Sequence, residues 1–192
     1  MPKKEVLVVL TDRWADWEPS FAIPEINSSP EYTVKTIAED FQPKSSIGGL
    51  SVTIDYCTDE YIHFDQCAMV ILPGGFAWKD APHEKIVSLV QRAIDANIPI
   101  AAICGATLFL ARNGFLDQVN HSGDEEKYFQ EEPGYHGQAH FQPKQVVVDQ
   151  GIITANETAA LEFAYEILKI LKIDSDKEIN HWYASFKSGL FH

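Results

Sequence analysis

Ile98-Pro99-Ile100-Ala101-Ala102-Ile103-Cys104-Gly105-Ala106-Thr107-Leu108-Phe109-Leu110-Ala111-Arg112-Asn113-Gly114 passes without a spacer from an apolar, β-branched run into a helix-forming segment that stops at a glycine. A strand feeding straight into a helix is the unit from which parallel sheets are wound. Two earlier runs, Val6–Leu10 and Ala68–Leu72, have the same character as Ile98–Ile103. Unbroken apolar runs fit strands covered on both faces, whereas a half-exposed strand alternates. Between the second and third runs, Asp80 and Pro82 open a segment with Ile86, Val87, Val90, Ala93 and Ile94 at helical spacing and Asn97 as its stop. Strand, helix and strand make a βαβ unit.

Outward from this unit, Tyr32–Ala38 alternates like a further strand, and Ser46–Val52 reads as a β-hairpin turning on Gly48-Gly49. Val146–Asp149 and Ile152–Thr154 flank the turn signal Gln150-Gly151. Ala160, Leu161, Ala164, Leu168 and Leu171 then mark a long amphipathic helix, and Ile179, Trp182, Tyr183, Phe186 and Leu190 repeat the spacing. The expected architecture is α/β, a doubly wound sheet whose ligands bind beyond the carboxyl ends of the strands. Asn120–Pro143, with Gly123, Pro133, Gly134 and Gly137, is the longest irregular piece. Loops of that length in small domains are often functional, and a plain surface excursion is the competing reading.

The 192 residues are 45% hydrophobic, enough for one core, so a single domain over residues 1–192 is expected. Lys and Arg total 15 against 28 Asp and Glu, a net charge of -13. Such a chain repels phosphate backbones and anionic lipid surfaces, which argues against nucleic-acid and membrane partners. The run after Met1-Pro2-Lys3-Lys4-Glu5 is too short for a signal peptide, and no stretch reaches the ~20 apolar residues of a membrane span. Cys57, Cys67 and Cys104 cannot all pair with one another, and none stands in a CxxC or CxxH arrangement. Free thiols in a cytoplasmic location are the expectation.

Cys104 is the residue at the strand-to-helix junction. A side chain there is held at the carboxyl edge of the sheet, where the unpaired N–H groups of the new helix favour an anion. A thiol of pKa ~8.5 is only ~3% ionised at pH 7, so a cysteine nucleophile is expected to need its acidity raised about a hundredfold, roughly 2.7 kcal/mol. The competing reading is a small buried hydrophobe that merely ends a strand.

Several stretches in order point the same way. Ala101-Ala102-Ile103-Cys104-Gly105-Ala106 looks like a nucleophile elbow, Trp14-Ala15-Asp16-Trp17-Glu18 supplies an acid after the first strand, and Leu72-Pro73-Gly74-Gly75 is a glycine loop. Together with Ile153-Thr154-Ala155-Asn156-Glu157-Thr158 and Glu162-Phe163-Ala164, they resemble the ThiJ/PfpI superfamily of flavodoxin-like proteins over nearly the whole chain. The resemblance implies a flavodoxin-like, mostly parallel sheet with helices on both faces and a small β-hairpin. It also implies that Glu18, as a carboxylic acid, donates a hydrogen bond to the Cys104 thiolate, and that Gly75 and Gly105 lend backbone N–H groups to an oxyanion or a bound sulfinate. His121, where the family often has a histidine, is the implied base; Asp124 and Glu125 are candidates to orient it, and nothing in the sequence fixes that role. The competing readings are a helix-opening acid for Glu18, a plain chain turn at Gly74-Gly75, and a surface histidine in a polar loop for His121.

Departures from the family pattern narrow the activity. Proteases and amidases of this type commonly carry histidine directly after the cysteine, where this chain has Gly105. Glutamine amidotransferases of the related fold use His-x-Glu near the last strand, where Thr154-Ala155-Asn156-Glu157 stands. His136 and His140 are four apart, but Gly134 and Gly137 argue against a shared helical face; some relatives in the resembled family bind zinc, and a site built with His121 or Glu132 is the competing reading to the expectation of no metal and no cofactor. The loop Thr11-Asp12-Arg13-Trp14 is too bulky to cradle a flavin phosphate. Trp17 is the aromatic residue expected at a substrate pocket.

Three functions follow from these residues. The first is a cysteine-dependent enzyme, glyoxalase-like or hydrolytic, acting on a small carbonyl or amide substrate. The second is a redox-sensing or stress-protective protein working by oxidation of Cys104. The third is a non-catalytic binding domain. A homodimer is implied by the resemblance alone.

Overall fold

The apolar runs pair as neighbours at the middle of one sheet. The computed structural model describes residues 2–189, and Leu190 of the last apolar stripe lies outside them. In chain order the strands are β1 (Lys4–Val9), β2 (Tyr32–Ala38), β3 (Lys44–Ser45), β4 (Ser51–Val52), β5 (Tyr56–Cys57), β6 (Cys67–Leu72), β7 (Ile100–Ile103), β8 (Val146–Asp149) and β9 (Ile152–Ala155). The helices are α1 (Ala22–Ser28), α2 (Glu84–Asp95), α3 (Gly105–Arg112), α4 (Glu126–Gln130), α5 (Ala160–Leu171) and α6 (Asp176–Ser188). The main sheet has the order β5-β2-β1-β6-β7-β9-β8, and β3 with β4 forms a separate antiparallel hairpin. Every pairing in the main sheet is parallel except β8 with β9.

Successive strand residues point to opposite faces, and both faces are covered. Leu7, Val9, Val70, Leu72, Ile100 and Ala102 pack with α2 and α3, while Val6, Val8, Met69, Ile71, Ala101 and Ile103 pack with α1, α5 and α6. This two-sided burial is why β1, β6 and β7 read as unbroken hydrophobic runs. The fold is the flavodoxin-like doubly wound sheet.

Local chemistry explains the connections. Gln150 (φ 47°) and Gly151 (φ 79°) both adopt the left-handed backbone that a two-residue hairpin turn requires between β8 and β9. The helix expected from Asp80 begins only at Glu84, because a 3-10 turn over Ala77–Lys79 comes first and Pro82 disfavours helical backbone at Ala81. Asn97, left-handed at φ 56°, ends it as expected. The segment Asn120–Pro143 is not a surface excursion. It contains α4 and a 3-10 turn at Gln138–His140, and it anchors His121, Phe129 and Tyr135 in the interior.

The sheet order places the carboxyl ends of β1, β6, β7 and β9 side by side. The loops that leave them carry Glu18, Gly74-Gly75, Cys104 and Glu157.

Candidate active site

Cys104 joins β7 to α3 with no intervening loop, and the junction forces its backbone to φ 54° and ψ -128°. A side-chain-bearing residue in that region costs about 1–3 kcal/mol and persists only when its surroundings over-determine it. They do so here. The Cys104 N–H donates to Ala155 O at 2.9 Å, and its carbonyl accepts from Thr107 N–H at 2.9 Å and from the Thr107 hydroxyl at 2.7 Å. The first bond belongs to the sheet and the other two to the first turn of α3, so the thiol is aimed from both sides while remaining partly exposed.

Glu18 follows β1 through a turn and is fully buried. Its Oε2 accepts from Gly74 N–H at 2.5 Å. Oε1 is also buried and finds no hydrogen-bond partner in the protein beyond the Cys104 thiol that the carboxyl flanks. Burial pushes Glu18 up to about 8, against the opposing pull of the Gly74 N–H. At neutral pH it is therefore a carboxylic acid with a proton to donate.

The glycine loop explains how the two groups come so close. A Cβ on Gly74 would lie 2.7 Å from both Cys104 Cβ and Glu18 Oε2. Gly75 has φ +140°, and a Cβ there would sit 2.4 Å from Arg13 O, so any side chain would push the loop off the β1 end. The same loop lies against the start of α3, since a Cβ built on Gly105 would be 3.0 Å from Gly75 O. Glu18, Gly75, Cys104 and Gly105 thus share one corner. The Gly105 N–H lies beside the Cys104 sulfur and favours its anion.

Two carboxylates complete the corner from the other side. Asp124 approaches the thiol, with a carboxylate oxygen within 4.8 Å of the sulfur, and its Oδ1 accepts from Glu157 N–H at 2.7 Å. Ligand atoms of Cys104, Asp124 and Glu157 lie within 4.8 Å of one another, so these are the residues able to hold a cation here. Neither His136 nor His140 belongs to that group among the described residues. Beside Asp124 opens a cleft of about 530 Å³ lined by Gly123, Phe141, Lys144 and Asn156 among others.

This setting corrects two expectations about the thiol. Burial, with the neighbouring carboxylates of Glu18 and Asp124, pushes Cys104 above the ordinary thiol range, and the Gly105 N–H only partly offsets it. With Glu18 protonated, its repulsion is removed while burial and Asp124 still act in the same direction. Both oppose ionisation of the thiol. The second correction concerns His121, whose Nδ1–H donates to Val119 O at 2.6 Å and whose Nε2 accepts from the Tyr135 hydroxyl at 2.8 Å. Both ring nitrogens are engaged and the ring is buried against Phe129, Tyr135 and Phe141, which leaves neither nitrogen for the thiol. Burial lowers its pKa, so it is a neutral structural histidine.

Trp17 is 48% exposed, on the outer side of the turn that leads to Glu18, with its carbonyl accepting from Ser20. Asp124 was legible only as an orienting partner for a histidine, and its direct approach to the thiol depends on the contact with Glu157, far along the chain. No local sequence signal marks that contact.

Comparison with known proteins agrees with this geometry. Residues 4–170 match the DJ-1/PfpI family. The chain is 34% identical over 190 residues to the uncharacterized protease YdeA of Bacillus subtilis, covering 98% of this chain and 94% of that one. It is 32% identical over 191 residues to the uncharacterized protease YoaZ of the same organism, covering 95% and 90%. Among solved structures, a thiJ/pfpI family protein from Bacillus anthracis superposes with a TM-score of 0.89 at 29% identity, covering 98% of this chain and 92% of that one. The DJ-1 superfamily protein Atu0886 from Agrobacterium tumefaciens gives 0.86 at 29% identity, covering 95% and 99%. A chain matched along most of its length by the family model and by these relatives, with a cysteine elbow facing a buried acid, belongs to the DJ-1/PfpI family.

Proposed function

We propose that the protein is a cysteine-dependent enzyme acting on a small carbonyl or amide substrate, with Cys104 as nucleophile and Asp124 in place of a histidine as the group that takes its proton. The observation that carries this reading is the thiol on a strained junction, held between the protonated Glu18 carboxyl and the side chain of Asp124. A buried thiol that resists ionising on its own still reacts when its proton leaves as the new bond forms.

In the step this arrangement favours, Sγ bonds to the carbonyl carbon while the Sγ–H proton passes to the Asp124 carboxylate. The carbonyl π pair moves onto oxygen, where the N–H groups of Gly75 and Gly105 and the Glu18 proton meet the developing charge. With methylglyoxal the first adduct is a hemithioacetal; its C1 proton moves by way of Asp124 to the adjacent carbonyl carbon, giving a thioester that water hydrolyses to the hydroxy acid and the free thiol. With an amide, the tetrahedral adduct collapses, the amine leaves with the proton from Asp124, and water hydrolyses the thioester. The names of the two Bacillus subtilis relatives fit the hydrolytic branch. Redox sensing draws on the same sulfur, and burial with the neighbouring carboxylates opposes the thiolate form that reacts with peroxide.

Turnover of methylglyoxal and of a panel of small amides tests the proposal. Wild-type turnover is expected to vanish in Cys104→Ser and to fall by about 10²–10⁴-fold in Asp124→Asn. A Cys104→Ser protein that retains activity sinks it.

A further inference from the structure

Two buried histidines of this protein sit in different hydrogen-bonding environments. His121 faces one carbonyl and one hydroxyl, so a neutral ring satisfies both. His83, nine-tenths buried just before α2, faces acceptors on both sides: its Nδ1 stands 2.7 Å from Glu39 Oε2 and its Nε2 3.0 Å from Ala77 O. Only a ring protonated on both nitrogens donates to both. Imidazole is about a hundredfold stronger a base than a carboxylate, so the proton of this pair belongs on His83. The bond to Glu39, with that to Ala77, raises the histidine above its ordinary range against the opposing effect of burial.

The bridge joins two parts of the fold. Glu39 lies just after β2, and Ala77 opens the 3-10 turn Ala77–Lys79 that follows the glycine loop. Side chains hold that turn at several points. Trp78 Nε1 donates to Pro73 O at 2.8 Å, Arg112 of α3 donates to Trp78 O and Ala81 O, and Ala77 O receives His83 besides the Asp80 N–H. The turn in turn backs the site, since a Cβ on Gly105 would lie 3.4 Å from the Trp78 ring. Of these anchors, His83 is the one whose charge changes near neutral pH. Its backbone is left-handed at φ 51°, a conformation that a residue with a side chain keeps only when its surroundings impose it. Its carbonyl accepts from the N–H groups of Ile86 and Val87 in the first turn of α2. Beside the ring opens a cleft of about 250 Å³ also lined by Thr11, whose buried hydroxyl has no partner, so the turn has space into which to loosen.

We infer that His83 is a positioning residue for the corner that holds Cys104, a proton-dependent clamp that ties the turn behind Gly74-Gly75 to the end of β2 and releases it when the proton leaves. The inference rests on the reading of Cys104 as the reacting group. A ring with a single N–H leaves either Glu39 or Ala77 O facing a lone pair, and acceptor facing acceptor is repulsive. Because the folded value is raised, the clamp acts fully below the ordinary 6.5 and is lost as pH rises through the folded value. The other charges around the ring are largely paired off: Asp40 with Lys44, Asp80 with Arg13 and Lys85 with Asp59, while Asp12 is exposed. Arg112, reaching in from α3, opposes the imidazolium. Glu39 is the partner that keeps the proton in place.

The test uses the full-length protein and no substrate, so its failure and a failure of the proposed turnover are separate results. Nitrogen NMR of the imidazole is expected to show both His83 nitrogens protonated at about pH 6. Amide exchange at Phe76 and Asp80, corrected for its intrinsic pH dependence, is expected to lose protection by up to about tenfold per pH unit above about 6.5, until His83 is neutral. Glu39→Gln, checked for native circular dichroism, keeps an acceptor for the ring but removes the charge, so its loss of protection is expected to begin at lower pH. At about pH 7 the loosened turn is then expected to let iodoacetamide label Cys104 about threefold or more faster than in wild type. Titration of Glu18 and Cys104 is common to both proteins, so the difference between them belongs to the clamp. The inference is overturned if one His83 nitrogen is unprotonated at about pH 6, if protection at Phe76 and Asp80 stays constant from about pH 6 to 9, or if Cys104 in Glu39→Gln labels at the wild-type rate.

Discussion

Replacing Glu18 by glutamine is expected to stabilise the protein at neutral and alkaline pH, although it removes a buried group of the site. The carboxyl ionises at about 8 in the folded protein against 4.5 for the free group. Above 4.5 the unfolded chain loses this proton while the folded chain keeps it, so stability falls as pH rises and levels off above about 8, where the folded group ionises too. The interval from 4.5 to pH 7 corresponds to roughly 3 kcal/mol. Glutamine is neutral throughout, and its Oε1 can accept the Gly74 N–H that Glu18 Oε2 now holds. Urea unfolding of both proteins from about pH 4.5 to 8.5 provides the assay, and the difference between them cancels the other titrating groups. The variant is expected to gain on wild type steadily over that range, by roughly 3 kcal/mol at pH 7. A stability difference that does not change with pH would refute the reasoning, since it would mean that Glu18 is ionised in the folded protein.

Two further perturbations follow from the same corner and its surroundings. Because Cys104 is held at φ 54°, Cys104→Gly is expected to be more stable than Cys104→Ala by about 1 kcal/mol in urea unfolding, the reverse of the usual order of those residues. Tyr135→Phe leaves His121 Nε2 buried without its donor, and a loss of about 1–3 kcal/mol is expected in thermal unfolding, with little change in Cys104 alkylation.

The parts of this structure that were legible in the sequence are those set by local pattern. Strands β1, β6 and β7 announce themselves because both their faces are buried, and Gln150-Gly151 announces its turn because two successive left-handed residues need that chemistry. What was missed depends on partners distant in the chain. Strand β5 is two residues long and exists through the pairing of Ile37 with Tyr56 and of Ala38 with Cys57. Helix α1 carries Pro24 in its first turn, where proline is tolerated but reads as a break. The polar segment after Asn120 looked like a loop because its buried aromatics, Phe129 and Tyr135, follow no regular period.

The site divides in the same way. Cys104 and the glycine loop are marked by short contiguous motifs, whereas the interior decides that Asp124 and not His121 approaches the thiol. His121 fits an aromatic pocket that uses both its nitrogens, and the backbone of Glu157 holds Asp124 near the sulfur. Motif reading found the cysteine at the strand-to-helix junction. Its protonation state came from burial, which the motif does not encode.

The most direct test of the account is the pH dependence of iodoacetamide labelling at Cys104, followed by mass spectrometry in wild type and Asp124→Asn. The account predicts an apparent pKa well above the ~8.5 of a free thiol, and a downward move when the Asp124 charge is removed. An apparent pKa below 7 in wild type, unchanged in Asp124→Asn, would show a thiolate at rest and contradict it.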